Sequence, residues 1–153
     1  MPDHSRIVRS VDFTWPDLKQ KKYKEQNTGF KDISRFILLG EEEDDRELTI
    51  QTRYFEIANQ GYSSIERHRH THTVIIVKGK GSMILGNRII NLDFMDTIYV
   101  APNTVHQFHA DRGEPLGFLC IVNRDRDRPE IPYDEKTLES WLPDPEIRRK
   151  AKI

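Results

Sequence analysis

The chain has 153 residues, a length that suits one domain with a single hydrophobic core and excludes a long repeat array or a multidomain machine. Lysine and arginine together number 24 against 25 aspartate and glutamate residues, so the formal net charge is -1. This balance argues against a protein whose main task is to neutralise nucleic-acid phosphates or an anionic membrane surface. We therefore expect neither nucleic acid nor a membrane among its partners.

No apolar run approaches the roughly 20 consecutive residues that a transmembrane helix requires, and the first residues lack the apolar core of a signal peptide. The single cysteine, Cys120, has no partner in the chain for a disulfide, which fits a reducing compartment. These features together predict a soluble, cytoplasmic protein.

Residues 1–47 form a predicted N-terminal extension that is rich in charge. Two short helices are predicted there, one over residues 16–24, which follow Thr14, and one over residues 31–39. This extension precedes the predicted barrel core.

Residues 48–123 carry short segments rich in Ile, Val, Tyr, Phe and Thr, separated by Gly, Pro, Asn or Asp. The segments predict strands over residues 48–58, 65–72, 74–78, 82–85, 88–92, 97–100, 106–110 and 116–122. The pair Gly86-Asn87 between two of them is a hairpin signal, because glycine tolerates a positive φ at the first turn position. Since almost no helix separates these strands, the predicted fold class is all-β, an antiparallel jelly-roll barrel with short helices at both ends.

Residues 124–153 form a predicted C-terminal helical extension. A helix over residues 134–142 places Leu138, Trp141 and Leu142 on one face, so we expect it to pack on the outside of the barrel. The pair Asp144-Pro145 then begins a second, basic helix by the usual preferences at the N-cap and first helical positions.

Four of the six histidines lie in two short segments of the predicted barrel. On an extended strand, residues two apart share a face, so Glu66, His68, His70 and His72 would all point one way, with successive Cα atoms on that face about 6.7 Å apart. His106 lies on a later strand. Neutral imidazoles and a carboxylate bind transition-metal ions at about 2.0–2.2 Å, so this strip and His106 predict a metal site.

The opposite orientation of the strip would leave its histidines in solvent and turn Arg67, Arg69, Thr71 and Thr73 toward a small core. Buried charges without partners are costly, so this orientation is disfavoured. Taken alone, His106 would be interpreted as a core histidine, and the proline-containing turn before it favours the metal role.

Both histidine segments resemble the two motifs of the cupin superfamily. The first family motif is a glycine, then His-x-His, a glutamate and a second glycine, a frame that Gly61, the histidine repeats and Gly79 fit. The second is a Pro-x-Gly-x-x-His turn, matched by Pro102, Asn103 and His106; asparagine replaces the glycine and tolerates the left-handed conformation. The resemblance covers residues 50–123 and implies a small single-domain cupin, a monocupin.

Two registers of the first motif remain open. Counting back from Gly79, the resemblance implies Glu66, His68 and His72 as ligands, with glutamate and histidine exchanged relative to the family pattern, and His106 as the fourth. In this register, which we prefer, His70 is an alternative ligand or a neighbour of the ligands.

Counting forward from Gly61 instead makes His68 and His70 the pair and leaves Val74 or Ile75 in a ligand position. An aliphatic side chain cannot coordinate a metal, which disfavours this second register. His68 and His106 are ligands in both registers.

Candidates for the pocket wall follow from the same alternation. Phe108 shares a face with His106, and Phe118 and Cys120 share a face on the last predicted strand. For Cys120, the ordinary interpretation is a small buried hydrophobe.

Arg53 and Tyr54 precede the first motif and have opposite parity, so the pattern expects only one of them to face inward. Arg53 in that position would suit an anionic substrate, although exposure to solvent is the commoner environment of an arginine.

The resemblance implies one divalent transition-metal ion, whether iron, manganese, nickel, copper, cobalt or zinc, and a small-molecule substrate or ligand. A mononuclear centre with these ligands leaves coordination positions open for water, dioxygen or substrate. Such a metal can polarise a carbonyl, lower the pKa of bound water or bring substrate and dioxygen together.

The leading hypothesis is a metal-dependent cupin enzyme that acts on an oxygenated small molecule, either a dioxygenase-like oxidoreductase or an isomerase or lyase, since the fold does not choose among reactions. The alternative is a non-catalytic ligand-binding or sensor cupin. A third hypothesis is an epimerase-like barrel that uses a histidine as a base without metal. The resemblance also implies a homodimer.

Overall fold

The computed structural model describes residues 3–24, 28–111 and 113–153. One curled sheet contains all of the named strands. They are β1 (Lys31–Leu39), β2 (Ile50–Tyr62), β3 (His72–Gly79), β4 (Gly81–Leu85), β5 (Arg88–Leu92), β6 (Thr97–Val100), β7 (His106–Ala110) and β8 (Leu116–Asn123). A 3-10 helix (Glu43–Asp45) lies between β1 and β2, and α1 (Glu135–Trp141) and α2 (Pro145–Lys150) follow the sheet.

The strand order across the sheet is β5-β4-β7-β2-β8-β3-β6, with β1 paired to β2, and these pairings are antiparallel. Sequence neighbours such as β2 and β3 are separated in space, which is the connectivity of a jelly-roll barrel. The all-β prediction is therefore confirmed. The hairpin prediction is confirmed as well, because Leu85 pairs with Arg88 across Gly86, whose φ is +61°.

Alternate side chains along each strand point into the barrel. Arg53 pairs with Cys120 and Phe55 with Phe118 across β2 and β8, so these side chains point into the same interior. The core is the set of buried inward side chains of these strands, among them Ile57, Val74, Ile76, Met83, Leu92, Val100, Leu116 and Val122.

The two predicted N-terminal helices are wrong. Residues 31–39 form β1, which pairs with β2 along its length, and residues 16–24 form turns with one bridge to β1, between Lys21 and Arg35. The physical reason is two-sided burial. Ile33 packs on the inner core while Phe36 and Leu38 pack on the opposite face, and only a period of two residues achieves this.

An outer layer covers the other face of β1 and β2. Trp15 lies against Tyr54 and Phe36, with ring centroids 4.9 and 5.4 Å apart. Arg53 and Tyr54 are both buried, on opposite faces of the sheet. Arg53 alone faces the interior, as their opposite parity predicts, and Tyr54 is covered by the N-terminal layer. The solvent-exposed environment expected as the commoner one for Arg53 is therefore wrong.

The C-terminal helices begin as predicted. The carboxylate of Asp134 accepts a hydrogen bond from the backbone of Thr137, and Asp144 caps the helix that starts at Pro145. Leu138 and Leu142 are buried against the outside of the barrel, with Ile65, Ile84 and Val105. Across the residues that the structure describes, none of the helices has the length and apolar character needed to span a membrane.

Candidate metal centre

The predicted strand over residues 65–72 is not regular. Bridges at Glu66 and Arg67 are followed by bends at residues 69 and 70, and β3 begins only at His72. The bends bring the rings of His68 and His70 to 3.7 Å between centroids, much closer than the spacing of alternate residues on an extended strand. Four side chains that were expected on one strand face thus converge because the backbone turns.

Backbone hydrogen bonds hold the two histidine segments together. Glu66 and His106 exchange both N–H···O=C bonds, at 3.1 and 2.9 Å. The N–H of Asn103 donates to the carbonyl of His68 at 2.7 Å, and Asn103 has a φ of +61°, the conformation expected for the glycine position of the second motif. Residues nearly 40 positions apart therefore meet at one end of the barrel interior.

Asp127, from the segment after β8, fixes the bends. Its carboxylate accepts the backbone N–H groups of Arg69 at 2.8 Å and His70 at 2.9 Å, and its Oδ1 lies 2.9 Å from Nδ1 of His70. These hydrogen bonds lower the pKa of Asp127, so the carboxylate stays ionised and acts as an acceptor only.

Each of His68, His72 and His106 is buried, and one potential ligand atom from each lies within 4.8 Å of the others. Nδ1 of His68 donates to the carbonyl of His70 at 2.7 Å, and Nδ1 of His106 donates to that of Thr104 at 2.9 Å. Each Nε2 therefore presents a lone pair to the interior, and Nε2 of His68 is buried without a partner in the described structure. This orphaned atom and the fixed tautomers fit a metal ion, so the three histidines are positioned to bind one.

Glu66 lies next to this cluster. Its Oε1 is 3.9 Å from Nε2 of His68 and 3.8 Å from Nε2 of His106, while its Oε2 accepts from Lys24 Nζ at 2.6 Å and Ser64 Oγ at 2.7 Å. Burial would raise the pKa of Glu66, but Lys24, His106 and the two hydrogen bonds lower it to about 2. The carboxylate is thus charged, with one oxygen facing the histidines.

His70 and His72 face each other, with their Nε2 atoms 3.3 Å apart. Since Nδ1 of His70 donates to Asp127, its Nε2 is directed at the same interior as that of His72. Burial lowers the pKa of His72, and the pKa of His70 falls for the same reason, so both rings are held in the neutral form that coordinates metals.

A cavity of about 200 Å³ opens beside the cluster. The structure places the sequence candidates Arg53, Phe108, Phe118 and Cys120 at its wall, together with Glu66, His70, His72 and His106. His68 lies behind this wall, stacked on His70. Three phenylalanines form the apolar side, since Phe118 stacks between Phe55 and Phe108 with centroids 5.4 and 4.5 Å apart.

Sequence reasoning missed four charged residues near the site. Arg35 and Arg126 line the cavity with Lys24, and Asp127 fixes the loop behind it. They come from β1 and from the two terminal segments, whose charged composition resembles ordinary surface. No spacing relates them to the histidines, so their positions emerge only from the folded chain.

The comparisons with known proteins agree with this geometry. The family model for the cupin domain matches residues 53–122. The 1-methylthio-D-xylulose 5-phosphate methylsulfurylase of Rhodospirillum rubrum is 36% identical over 123 residues, which are 80% of this chain and 76% of that protein.

Two solved structures match almost the whole chain. A cupin 2 conserved barrel domain protein from Rhodopseudomonas palustris has a TM-score of 0.84 at 35% identity, covering 97% of this chain and 100% of that one. A cupin-2 domain protein from Rhodospirillum rubrum has a TM-score of 0.79 at 33% identity, covering 93% of each chain. With the jelly-roll barrel, the two histidine motifs and these relatives together, the chain belongs to the cupin family.

Proposed function

We propose that the chain is a metal-dependent cupin enzyme that acts on an oxygenated small molecule in the cavity beside the histidines. The observation that carries the proposal is the orientation of the imidazoles, since hydrogen bonds to backbone carbonyls turn the lone pairs of His68 and His106 inward. His68, His72, His106 and Glu66 would hold one divalent transition-metal ion, with His70 as an alternative ligand. Such an ion supplies Lewis acidity toward a substrate oxygen.

The surrounding residues orient the side chains of this site. Lys24 and Ser64 occupy one oxygen of Glu66 and leave the other toward the histidines. Asp127 orients the ring of His70 by accepting a hydrogen bond from its Nδ1. The stacked phenylalanines exclude water from one side of the cavity, which strengthens electrostatic interactions within it.

For the substrate, we propose a phosphorylated, methylthio-substituted ketose as the first compound to test. The support is the similarity to the methylsulfurylase of Rhodospirillum rubrum, at 36% identity over 123 residues. The cavity suits such a molecule, because phenylalanine rings make favourable contacts with a thioether sulfur and arginines suit a phosphate. Whether the reaction is dioxygenase-like or that of an isomerase or lyase is decided by the products.

The test is substrate turnover by purified protein of measured metal content. With 1-methylthio-D-xylulose 5-phosphate, we expect the S-methyl resonance in proton NMR to shift as substrate is consumed. The variants His72→Ala and His106→Ala should lose this activity, whereas His109→Gln, outside the cavity, should keep it. Saturable binding without turnover would favour the ligand-binding or sensor alternative, and undiminished turnover after exhaustive chelation would favour metal-free base catalysis.

We also propose that the chain forms a cytoplasmic homodimer, as the family resemblance implies. Light scattering at micromolar concentration tests the assembly. A mass of 18.1 kDa, that of one chain, would contradict the dimer.

A further inference from the structure

We propose that Arg35, Arg53 and Arg126 form an anion-binding subsite in the cavity wall, and that this subsite takes the phosphate group of the ligand. The inference rests on the proposed function in one respect, since it assumes that the ligand occupies the same cavity as the metal centre. It adds the residues that recognise the charged end of that ligand.

Arg53 is a buried guanidinium that contacts a thiol and an aromatic ring among the described residues. Its side chain is on the inner face of β2, and the residue is only 7% exposed. One Nη donates to Sγ of Cys120 at 3.2 Å, and the group lies 4.9 Å from the ring centroid of Phe55. Its Nε is buried without a hydrogen-bond partner, and residues 3–24, 28–111 and 113–153 hold no carboxylate within ion-pair distance of it.

The buried guanidinium of Arg53 lacks an anionic partner among the described residues. Taking a guanidinium out of water costs several kcal/mol unless an anion compensates for the lost hydration. A thiol and an aromatic face offset only part of that cost. The unpaired Nε of Arg53 therefore marks a position where an anionic group of a ligand is expected.

Arg35 and Arg126 surround the same position. In the pairing of β1 with β2, Arg35 is opposite Phe55 and Ile37 is opposite Arg53, so the two arginines share the inner face one diagonal step apart. Arg126 comes from the segment after β8, and its Nη atoms donate to Gln51 Oε1 at 3.2 Å and to backbone carbonyls at 3.0 and 3.2 Å.

The hydrogen bonds of Arg126 hold its guanidinium toward the arginines of β1 and β2. The three guanidinium groups line one cavity, and burial together with the positive charges of Arg53 and Arg35 lowers the pKa of Arg126. Three like charges brought together inside a protein favour binding of an anion between them.

The charge balance favours a dianion over a monocarboxylate. Glu66 is the one carboxylate among the described lining residues and is paired with Lys24, whereas the hydrogen-bond acceptors of Arg53 and Arg126 are a thiol, an amide and backbone carbonyls. Guanidinium groups match phosphate oxygens with paired hydrogen bonds, and a phosphate monoester has enough acceptors for several of them.

The subsite adjoins the proposed metal centre. Sγ of Cys120 lies 3.2 Å from the guanidinium of Arg53 and 3.5 Å from Nδ1 of His72. This side chain contacts both groups and all three line one cavity, so one small molecule can hold its phosphate at the arginines and its oxygen functions at the histidines.

The test is isothermal titration calorimetry with inorganic phosphate as the probe, on the full chain as purified and again after chelation. Comparing the two preparations separates phosphate held by the arginines from phosphate held by a metal. We expect wild-type protein to bind phosphate in both. Arg53→Gln and Arg126→Gln should each weaken binding about tenfold or more, the usual effect of losing a charge-assisted hydrogen bond. Arg128→Gln, at an exposed position two residues from Arg126, should leave it unchanged.

Equal phosphate affinity in wild type, Arg53→Gln and Arg126→Gln would overturn the subsite, as would acetate binding as tightly as phosphate. The melting temperature supplies a second measurement, because Arg53→Met removes a buried cation. Without phosphate it should raise the Tm, and a Tm below that of the Arg128→Met control would count against the unpaired charge. Phosphate binding that persists in a protein without turnover would contradict the proposed function and leave the subsite standing.

Discussion

Nζ of Lys24 lies 2.6 Å from Oε2 of Glu66, so the N-terminal segment supplies the counter-charge to a carboxylate at the end of the barrel interior. Both side chains are largely buried, at 17% and 10% exposure. The pair ties a segment of irregular structure to the candidate metal centre. It also keeps Glu66 ionised and determines which of its oxygens faces the histidines.

Breaking this pair should destabilise the protein. In Lys24→Met, Oε2 of Glu66 keeps the hydrogen bond from Ser64 but loses the one from the lysine. Removing one partner of a buried ion pair costs about 3 kcal/mol. Urea denaturation of chelated protein measures the loss in free energy of unfolding. The double variant Lys24→Met/Glu66→Leu should recover most of it, since neither charge is then left alone.

The control is Lys22→Met, at an exposed position two residues away, which should change the free energy of unfolding by less than about 0.5 kcal/mol. If Lys24→Met behaved like this control, the ion pair would contribute nothing to stability.

A substitution at Gly79, the last residue of β3, tests the close approach between β3 and the segment that enters β8. Its φ is +66°, and a Cβ there would lie 1.8 Å from the carbonyl oxygen of Pro115. Gly79→Ala should therefore lower the free energy of unfolding by about 3 kcal/mol or more, through backbone strain and a clash that the strands cannot relieve.

Gly113 is the matched control, because its φ is +95° but a Cβ would meet nothing within 4 Å. Gly113→Ala should cost only the conformational strain, about 1–2 kcal/mol. Thermal or urea unfolding compares the two variants, and equal losses would rule out the predicted clash at Gly79.

We expect His109 to contribute to the loss of folding stability at acidic pH. Burial and then Lys150 and Lys152 lower its pKa to about 3, so the folded protein keeps the ring neutral while the unfolded chain protonates it near pH 6.5. Between these values the unfolded state binds the extra proton, and stability must fall as the pH is lowered from about 6.5 toward 3.

The variant His109→Gln should show a shallower decline, by up to about 1.4 kcal/mol per pH unit, when the free energy of unfolding is measured from pH 7 to pH 4. Indistinguishable slopes for wild type and His109→Gln would show that this ring does not govern the response.

The barrel was predictable where a segment is rich in β-branched and aromatic residues or a turn needs a particular residue. Residue composition predicted β2 and β8, and Gly86-Asn87 predicted the hairpin. The strand β1 was not predictable, because its residues are apolar on both faces. The alternation of β1 can be recognised only once the aromatic layer around Trp15 is known to cover its outer face.

Some residues of the candidate site were likewise predictable from the sequence and others were not. His68, His72 and His106 could be found from the sequence, since residue type and the turn at Pro102 mark them locally. Lys24 and Asp127 could not, because they act through tertiary contacts from the terminal segments. The strand expected through His70 was wrong for a related reason, as the bends there depend on Asp127.

The metal content of the purified protein tests the central claim most directly. Elemental analysis of the wild type after loading with a divalent transition metal and removal of excess should find about one ion per chain, since its ligands form one mononuclear site. The variant His68→Ala/His106→Ala should retain almost none, while His109→Ala, on the outer face, should bind as the wild type does. If the double variant bound as much metal as the wild type, these histidines would not form the metal centre.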